Sequence, residues 1–192
     1  ESNVLRTHEI LKTNLNSPSD SDGRKVILQS NEVKNVEVSA KVAMVSSLIK
    51  QMIAVDVEDE EGSSEDETPQ VVPLPNVKID ILKKVIEFMK YHVDKPMSEI
   101  DKPLRSDKME EVCKDEWDAK YIDVSQELLF EIILAANYMD IKSLLDLACA
   151  KVATMIKGKT PAEIRKTFNI TEDFTPAEEI KVRTDNPWLE DV

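Results

Sequence analysis

The chain has 192 residues, and 25 basic against 38 acidic side chains leave it a net charge of −13. That charge opposes attraction to phosphate backbones and to anionic membrane surfaces, so neither nucleic acid nor membrane is an expected partner. No stretch approaches the roughly 18 apolar residues of a spanning helix, and three scattered glycines exclude a glycine-rich phosphate loop.

Residues 1–24 read as a polar lead-in, with the segment NSPSDSDGR (16–24) as flexible linker. Its first fifteen residues lack the continuous apolar run of a signal peptide. Val26, Ile27 and Leu28 predict a short strand, and Ser30–Glu32 a turn. Val36 and Val38 alternate with polar neighbours, which predicts a second strand with one buried face. Ser39 can cap a helix on which Val42, Val45, Ile49 and Met52 recur at helical spacing.

Residues 56–67, DVEDEEGSSEDE, hold eight acidic side chains and no basic one. A run that repels itself and buries nothing predicts a disordered loop, here placed at 56–69. A calcium loop fails on spacing, because Gly62 is the seventh residue from Asp56 rather than the sixth. The two prolines of VVPLPNV (71–77) confine it to an edge strand or connector. Asn76 can cap a helix carrying Ile79, Leu82, Val85, Ile86 and Met89. Residues 94–115 are polar and read as a second long loop. Trp117, Tyr121 and Ile122 mark the return of a core.

The strongest helical signal covers 123–157. Asp123 with Gln126 resembles a capping box. Leu128, Leu129, Ile132, Ile133 and Ala136 share one face, and the pattern resumes with Ile141, Leu144, Leu145, Ala148, Val152, Met155 and Ile156. Two helices therefore meet near Tyr138–Asp140, and Gly158 stops the second. Thr160-Pro161-Ala162-Glu163 recurs as Thr175-Pro176-Ala177-Glu178, two identical start signals for short helices.

Few groups here point to catalysis. His8 falls in the lead-in, and His92 at a helix end reads as a surface residue. Cys113 and Cys149 form no metal-ligand spacing, and two isolated cysteines suit a reducing compartment. Cys149, on an apolar face, reads as a small core residue. Lys157, Lys159, Arg165 and Lys166 make the densest basic group, read as a solvated face near helix ends. Three of the nine aromatics, Phe168, Phe174 and Trp188, fall in a tail with too few apolar groups to enclose a core. Such a tail either packs on the body or supplies half of an interface.

The stretch EIILAANYMDIKSLLDLACAKVATMIKGKTPAEIRKTFNITEDFTPAEE (131–179) resembles the C-terminal signature of the Skp1 family. VVPLPNV, ILKKVIEFMKYH, the Trp117-Asp118 step and the acidic insertion resemble its earlier landmarks. The likeness runs from Lys25 to Glu190. It departs at Ala162 and Ala177, where the family has glutamate after the Thr-Pro pair, and at Pro187, which biases Asn186 away from helix.

The resemblance implies an α/β, mostly helical BTB/POZ fold. A small N-terminal three-stranded sheet is flanked by helices within 25–157, and a C-terminal helical extension occupies 158–192. It implies a non-enzymatic adaptor of an SCF ubiquitin ligase, without cofactors, acting in cytoplasm and nucleus. A cullin would bind Asn137 and Tyr138. F-box proteins would bind Val152, Met155, Ile156, Ile164, Phe168, Ile170, Phe174 and Trp188, with weak self-association when that surface is empty. The alternatives are another BTB-type, elongin-C-like adaptor, against which the tail argues, or a structural interaction protein; a hydrolase or transferase is disfavoured by the missing nucleophile and metal sets.

Overall fold

In the computed structural model, residues 24–58, 69–171 and 174–189 are described. They divide into two units, the chain passing from the first to the second between Thr154 and Met155.

The first unit begins with a sheet. β1 (Lys25–Gln29) pairs antiparallel with β2 (Asn35–Ser39) and parallel with β3 (Gln70–Pro73). The strand order is β2-β1-β3, so β3 is an edge, the position that Pro73 tolerates. The registers set Val26 opposite Val38 and Leu28 opposite Val36 and Val72. These side chains share the face turned to the core, and Val26, Leu28 and Val72 are almost fully buried.

The expected single helix after Ser39 is two helices, α1 (Ala40–Ala43) and α2 (Ser47–Glu58). Ser39 caps the first as expected, accepting from the Val42 N–H. The break comes from Ser46. Its hydroxyl accepts from the Ile49 N–H at 3.2 Å and donates to the Met139 carbonyl at 2.5 Å. A side chain that caps the next turn and reaches another element competes with continuing the helix. α2 extends to Glu58, so the acidic run begins in a helix. Positions 59–68 of the expected loop lie outside the described residues.

α3 (Ile79–His92) starts at Lys78, whose side chain makes no cap, and not at Asn76 as expected. Its Ile81, Leu82, Val85, Phe88 and Met89 are buried, and α3 packs on the later helix Gln126–Tyr138. The polar stretch 94–115 contains one helical turn, α4 (Met109–Val112), anchored by buried Met109. α5 (Glu116–Tyr121) is capped by the Asp115 carboxylate, which accepts from the Trp117 N–H at 3.0 Å.

α6 (Gln126–Tyr138) begins at Ser125, which accepts from the Leu128 N–H. Asp123, expected as the cap, instead accepts from Lys151 at 3.0 Å. α7 (Lys142–Ile156) buries Leu144, Leu147, Ala148 and Ala150. Cys149, expected in the core, is exposed. It lies between Ala148 and Ala150, off the stripe that the larger apolar groups define.

The second unit is short. Gly158 has φ +73°, a conformation that costs side-chain-bearing residues about 1–2 kcal/mol, and it ends the helical run. α8 (Pro161–Thr167) and α9 (Pro176–Asp185) each open with a complete capping box, Thr160 with Glu163 and Thr175 with Glu178. α9 ends before Asn186, whose φ of −133° and ψ of 68° lie outside the helical region that a following proline disfavours. A 3-10 turn at Pro187–Leu189 follows.

Candidate partner-binding surfaces

The α6–α7 turn is held by backbone before any side chain acts. Asp140 takes a left-handed φ of 49°. The Ile141 N–H then reaches the Ala136 carbonyl at 2.9 Å, and the Asp140 N–H the Asn137 carbonyl at 3.2 Å. That double closure is a Schellman motif, with Ala136 and Ile141 supplying its apolar contact in the core. From the other side the Ser47 N–H approaches the Asp140 carbonyl at 3.3 Å, beside the Ser46–Met139 bond. Carbonyls that a helix end leaves without partners are thus taken up by the start of α2.

On this fixed turn Asn137 is exposed and Tyr138 half-buried. The turn continues an apolar stripe that sequence reasoning did not assign. Phe130 keeps 40% of its surface exposed and Leu134 keeps 66%. Phe130, Leu134, Asn137 and Tyr138 stand at i, i+4, i+7 and i+8 of α6, one face of a helix. The opposite face, with Leu129, Ile132 and Ala136, is buried. The signal lay in the sequence all along: α6 is apolar around most of its circumference, which a helix with one face in water does not require.

The F-box candidates divide between the units. Val152 is half-buried on α7. In the second unit Met155, Ile164 and Phe168 are half-buried, and Ile156, Ile170, Phe174 and Trp188 are exposed, Trp188 at 70%. Ile180 on α9 is exposed at 66% and joins them as a residue missed earlier. No residue of α8 or α9 is buried. The second unit thus presents apolar side chains to solvent from helices whose ends are well capped. The backbone N–H groups of Thr160 and Thr175 draw the Glu163 and Glu178 carboxyls below their ordinary range, with the threonine hydroxyls adding to the effect. Of the basic group, Lys159 donates to the Thr167 hydroxyl at 3.1 Å.

His92 is not the surface residue expected. Its side chain and that of Asp118 keep 4% and 3% of their accessible surface, and they meet at 2.9 Å. Burial pushes the Asp118 carboxyl above the usual carboxylate range, opposed by His92. Around them Tyr91, Trp117 and Tyr121 stack in a column, with centroid spacings of 3.8 and 4.9 Å. Lys95 covers the Tyr91 end and Lys84 the Tyr121 end. His8 lies outside the described residues. Among the described residues no three potential ligands gather as a metal site. A shallow recess of about 140 Å³ beside β2 and the start of α3, lined by Glu32, Lys34, Asp80 and Lys83, carries mixed charge.

A model of the Skp1 family tetramerisation domain matches residues 24–94, and one of the Skp1 family dimerisation domain matches residues 142–189. The chain is 52% identical over 173 residues to an S-phase kinase-associated protein 1 homolog of Tetrahymena thermophila, covering 90% of this chain and 98% of that protein. It is 49% identical over 167 residues to the E3 ubiquitin ligase complex SCF subunit sconC of Talaromyces stipitatus, covering 87% and 98%. The protein of the same description from Aspergillus flavus is 49% identical over 162 residues, covering 84% and 94%.

Proposed function

The chain belongs to the Skp1 family, and from that premise we propose that it is the adaptor subunit of an SCF-type E3 ubiquitin ligase, joining a cullin to F-box substrate receptors without performing chemistry itself. Relatives described as SCF subunits support the assembly. The observation that carries the bridging role is that each unit presents its own exposed apolar surface. One is the stripe from Phe130 to Tyr138 in the first unit, and the other is the set around Ile170, Phe174, Ile180 and Trp188 in the second.

The first surface suits a cullin. It lies on a turn closed by backbone hydrogen bonds, so a partner meets it with little loss of conformational entropy. Phe130 and Leu134 supply apolar anchors, and Asn137 offers both donor and acceptor. The second surface suits F-box helices. α8 and α9 are too short to be stable alone, and their apolar side chains gain most by packing against helices from a partner. Cytoplasm and nucleus are the proposed places of action.

Reconstitution tests this reading. The chain, a cullin and an F-box domain should form a ternary complex on size exclusion. Asn137→Lys with Tyr138→Lys should remove the cullin and keep the F-box domain. Loss of both partners together would show that these residues serve the fold, and the assignment would fail.

A further inference from the structure

His92 is fixed by two hydrogen bonds. Its Nδ1 lies 2.9 Å from the Lys95 carbonyl oxygen, and its Nε2 lies 2.9 Å from Oδ1 of Asp118. A carbonyl oxygen only accepts, so Nδ1 carries a hydrogen. A second hydrogen must then lie between Nε2 and Oδ1. Either a doubly protonated ring donates to the carboxylate, or a protonated carboxyl donates to a neutral ring. The remaining pairing, a neutral ring against an ionised carboxylate, opposes two lone pairs at 2.9 Å and leaves a buried charge without a partner.

We propose that His92 and Asp118 form a one-proton lock. The pair holds one proton beyond a neutral histidine and an ionised aspartate, and closure of the 93–115 connection between α3 and α5 depends on it. The placement supports that role. His92 is the last residue of α3, Lys95 lies just inside the connection, and Asp118 sits on α5 just beyond it. One imidazole therefore ties both ends of the connection together. The rings of Phe88, Tyr91 and Trp117 surround it at 4.4, 4.9 and 5.6 Å, which keeps solvent from replacing either bond.

The charged and titratable groups around the pair leave it to supply its own proton. From α3 comes Tyr91, whose hydroxyl donates to Asp115 at 3.0 Å. From the connection come Lys95, Cys113 and Asp115. Lys95 is the other cation acting on Asp118, and it is paired with Asp115. Burial first, and the Asp118 charge second, push the Cys113 thiol up to about 11, so it stays neutral. Asp94, two residues from His92, is paired with Lys41 of α1.

The sign of the pH dependence follows. Unfolded histidine releases its proton near pH 6.5, and unfolded aspartate near 3.9. Above about pH 6.5 folding must therefore take one proton up. The contribution of the pair is complete between about pH 4 and 6.5 and is lost as pH rises above that range. The folding constant falls by up to tenfold per pH unit for one proton. Unfolded cysteine titrates near 8.5, so pH 6.5–7.5 isolates the pair from Cys113.

The test compares unfolding of the full chain across that window with that of Asp118→Asn. An asparagine amide donates to the neutral ring without any added proton, so the variant keeps the bond and loses the titration. The wild-type folding constant should fall with pH by close to tenfold per unit more than that of the variant. Amides of the 93–115 connection should lose protection in parallel in the wild type alone. Equal slopes in the two proteins would overturn the proposal. If Asp118→Asn does not fold, the wild type decides by itself: refolding at pH 7.5 in two buffers of different ionisation heat should reveal uptake of one proton, and no uptake would overturn the lock.

Discussion

Ser46 and Met139, 93 positions apart, share a hydrogen bond of 2.5 Å from hydroxyl to carbonyl, and the same hydroxyl caps α2 by accepting from Ile49. One side chain thus starts a helix in the N-terminal half and closes the α6–α7 turn that carries the proposed cullin surface.

Ser46→Ala removes the cap and the 2.5 Å donor to the Met139 carbonyl, which keeps only the Leu48 N–H at 3.4 Å. Loss of a cap costs about 1 kcal/mol, and net loss of one hydrogen bond about 0.5–1.5 kcal/mol. Urea denaturation should show a loss of about 1.5–2.5 kcal/mol, and cullin affinity should fall more than F-box affinity. Equal loss for both partners would mean that the turn transmits nothing to its own surface.

Leu134 is 66% exposed on α6, so Leu134→Lys should leave the thermal midpoint within about 2 °C of the wild type. Titration calorimetry should show cullin binding weakened at least tenfold, a loss of about 1.4 kcal/mol or more. Unchanged cullin affinity would remove the Phe130–Leu134 stripe from the interface.

Trp188, 70% exposed, has little to lose in the free protein. Trp188→Ala should keep its stability and weaken the F-box complex by about 1–4 kcal/mol. A chain ending at Gly158 should stay folded, bind cullin and lose the F-box domain. Hydrogen exchange supplies a further check: amides from Ile164 to Trp188 should exchange fast in the free protein and slow when an F-box domain is added.

The Lys95 ammonium, the Trp117 N–H and the Tyr91 hydroxyl hold the Asp115 carboxyl down to about 2. Its folded value lies below the unfolded one of about 3.9. Its contribution is therefore present above about pH 4 and lost as pH falls toward 2. Asp115→Asn should flatten the acid limb of the stability curve between those values. Unfolding midpoints of the two proteins, compared at intervals from pH 2 to 5, read the effect directly.

What could be read ahead of the structure were features written in neighbouring residues. Thr160 with Glu163, Thr175 with Glu178, the stop at Gly158 and the alternation of Val36 and Val38 all act within a few positions, and all fold as expected. The corrections sit where a distant partner decides. Ser46 ends a helix because Met139 competes for its hydroxyl. Asp123 fails to cap because Lys151 engages it, and Ser125 takes its place. His92 leaves the surface because Asp118 waits in the core. Phe130 and Leu134 were hidden for another reason. A helix whose circumference is mostly apolar gives no periodic sign of which side meets water.

The layered column of Lys95, Tyr91, Trp117, Tyr121 and Lys84 has an optical consequence. The chain has two tryptophans. One is clamped between tyrosine rings, and the other, Trp188, stands in solvent. A soluble collisional quencher should therefore extinguish the red-shifted emission of Trp188 and spare Trp117. Docking of an F-box domain should shift the accessible component alone, while loosening of the 93–115 connection should alter the shielded one. An unlabelled sample thus carries separate fluorescent reporters for its tail and for its body.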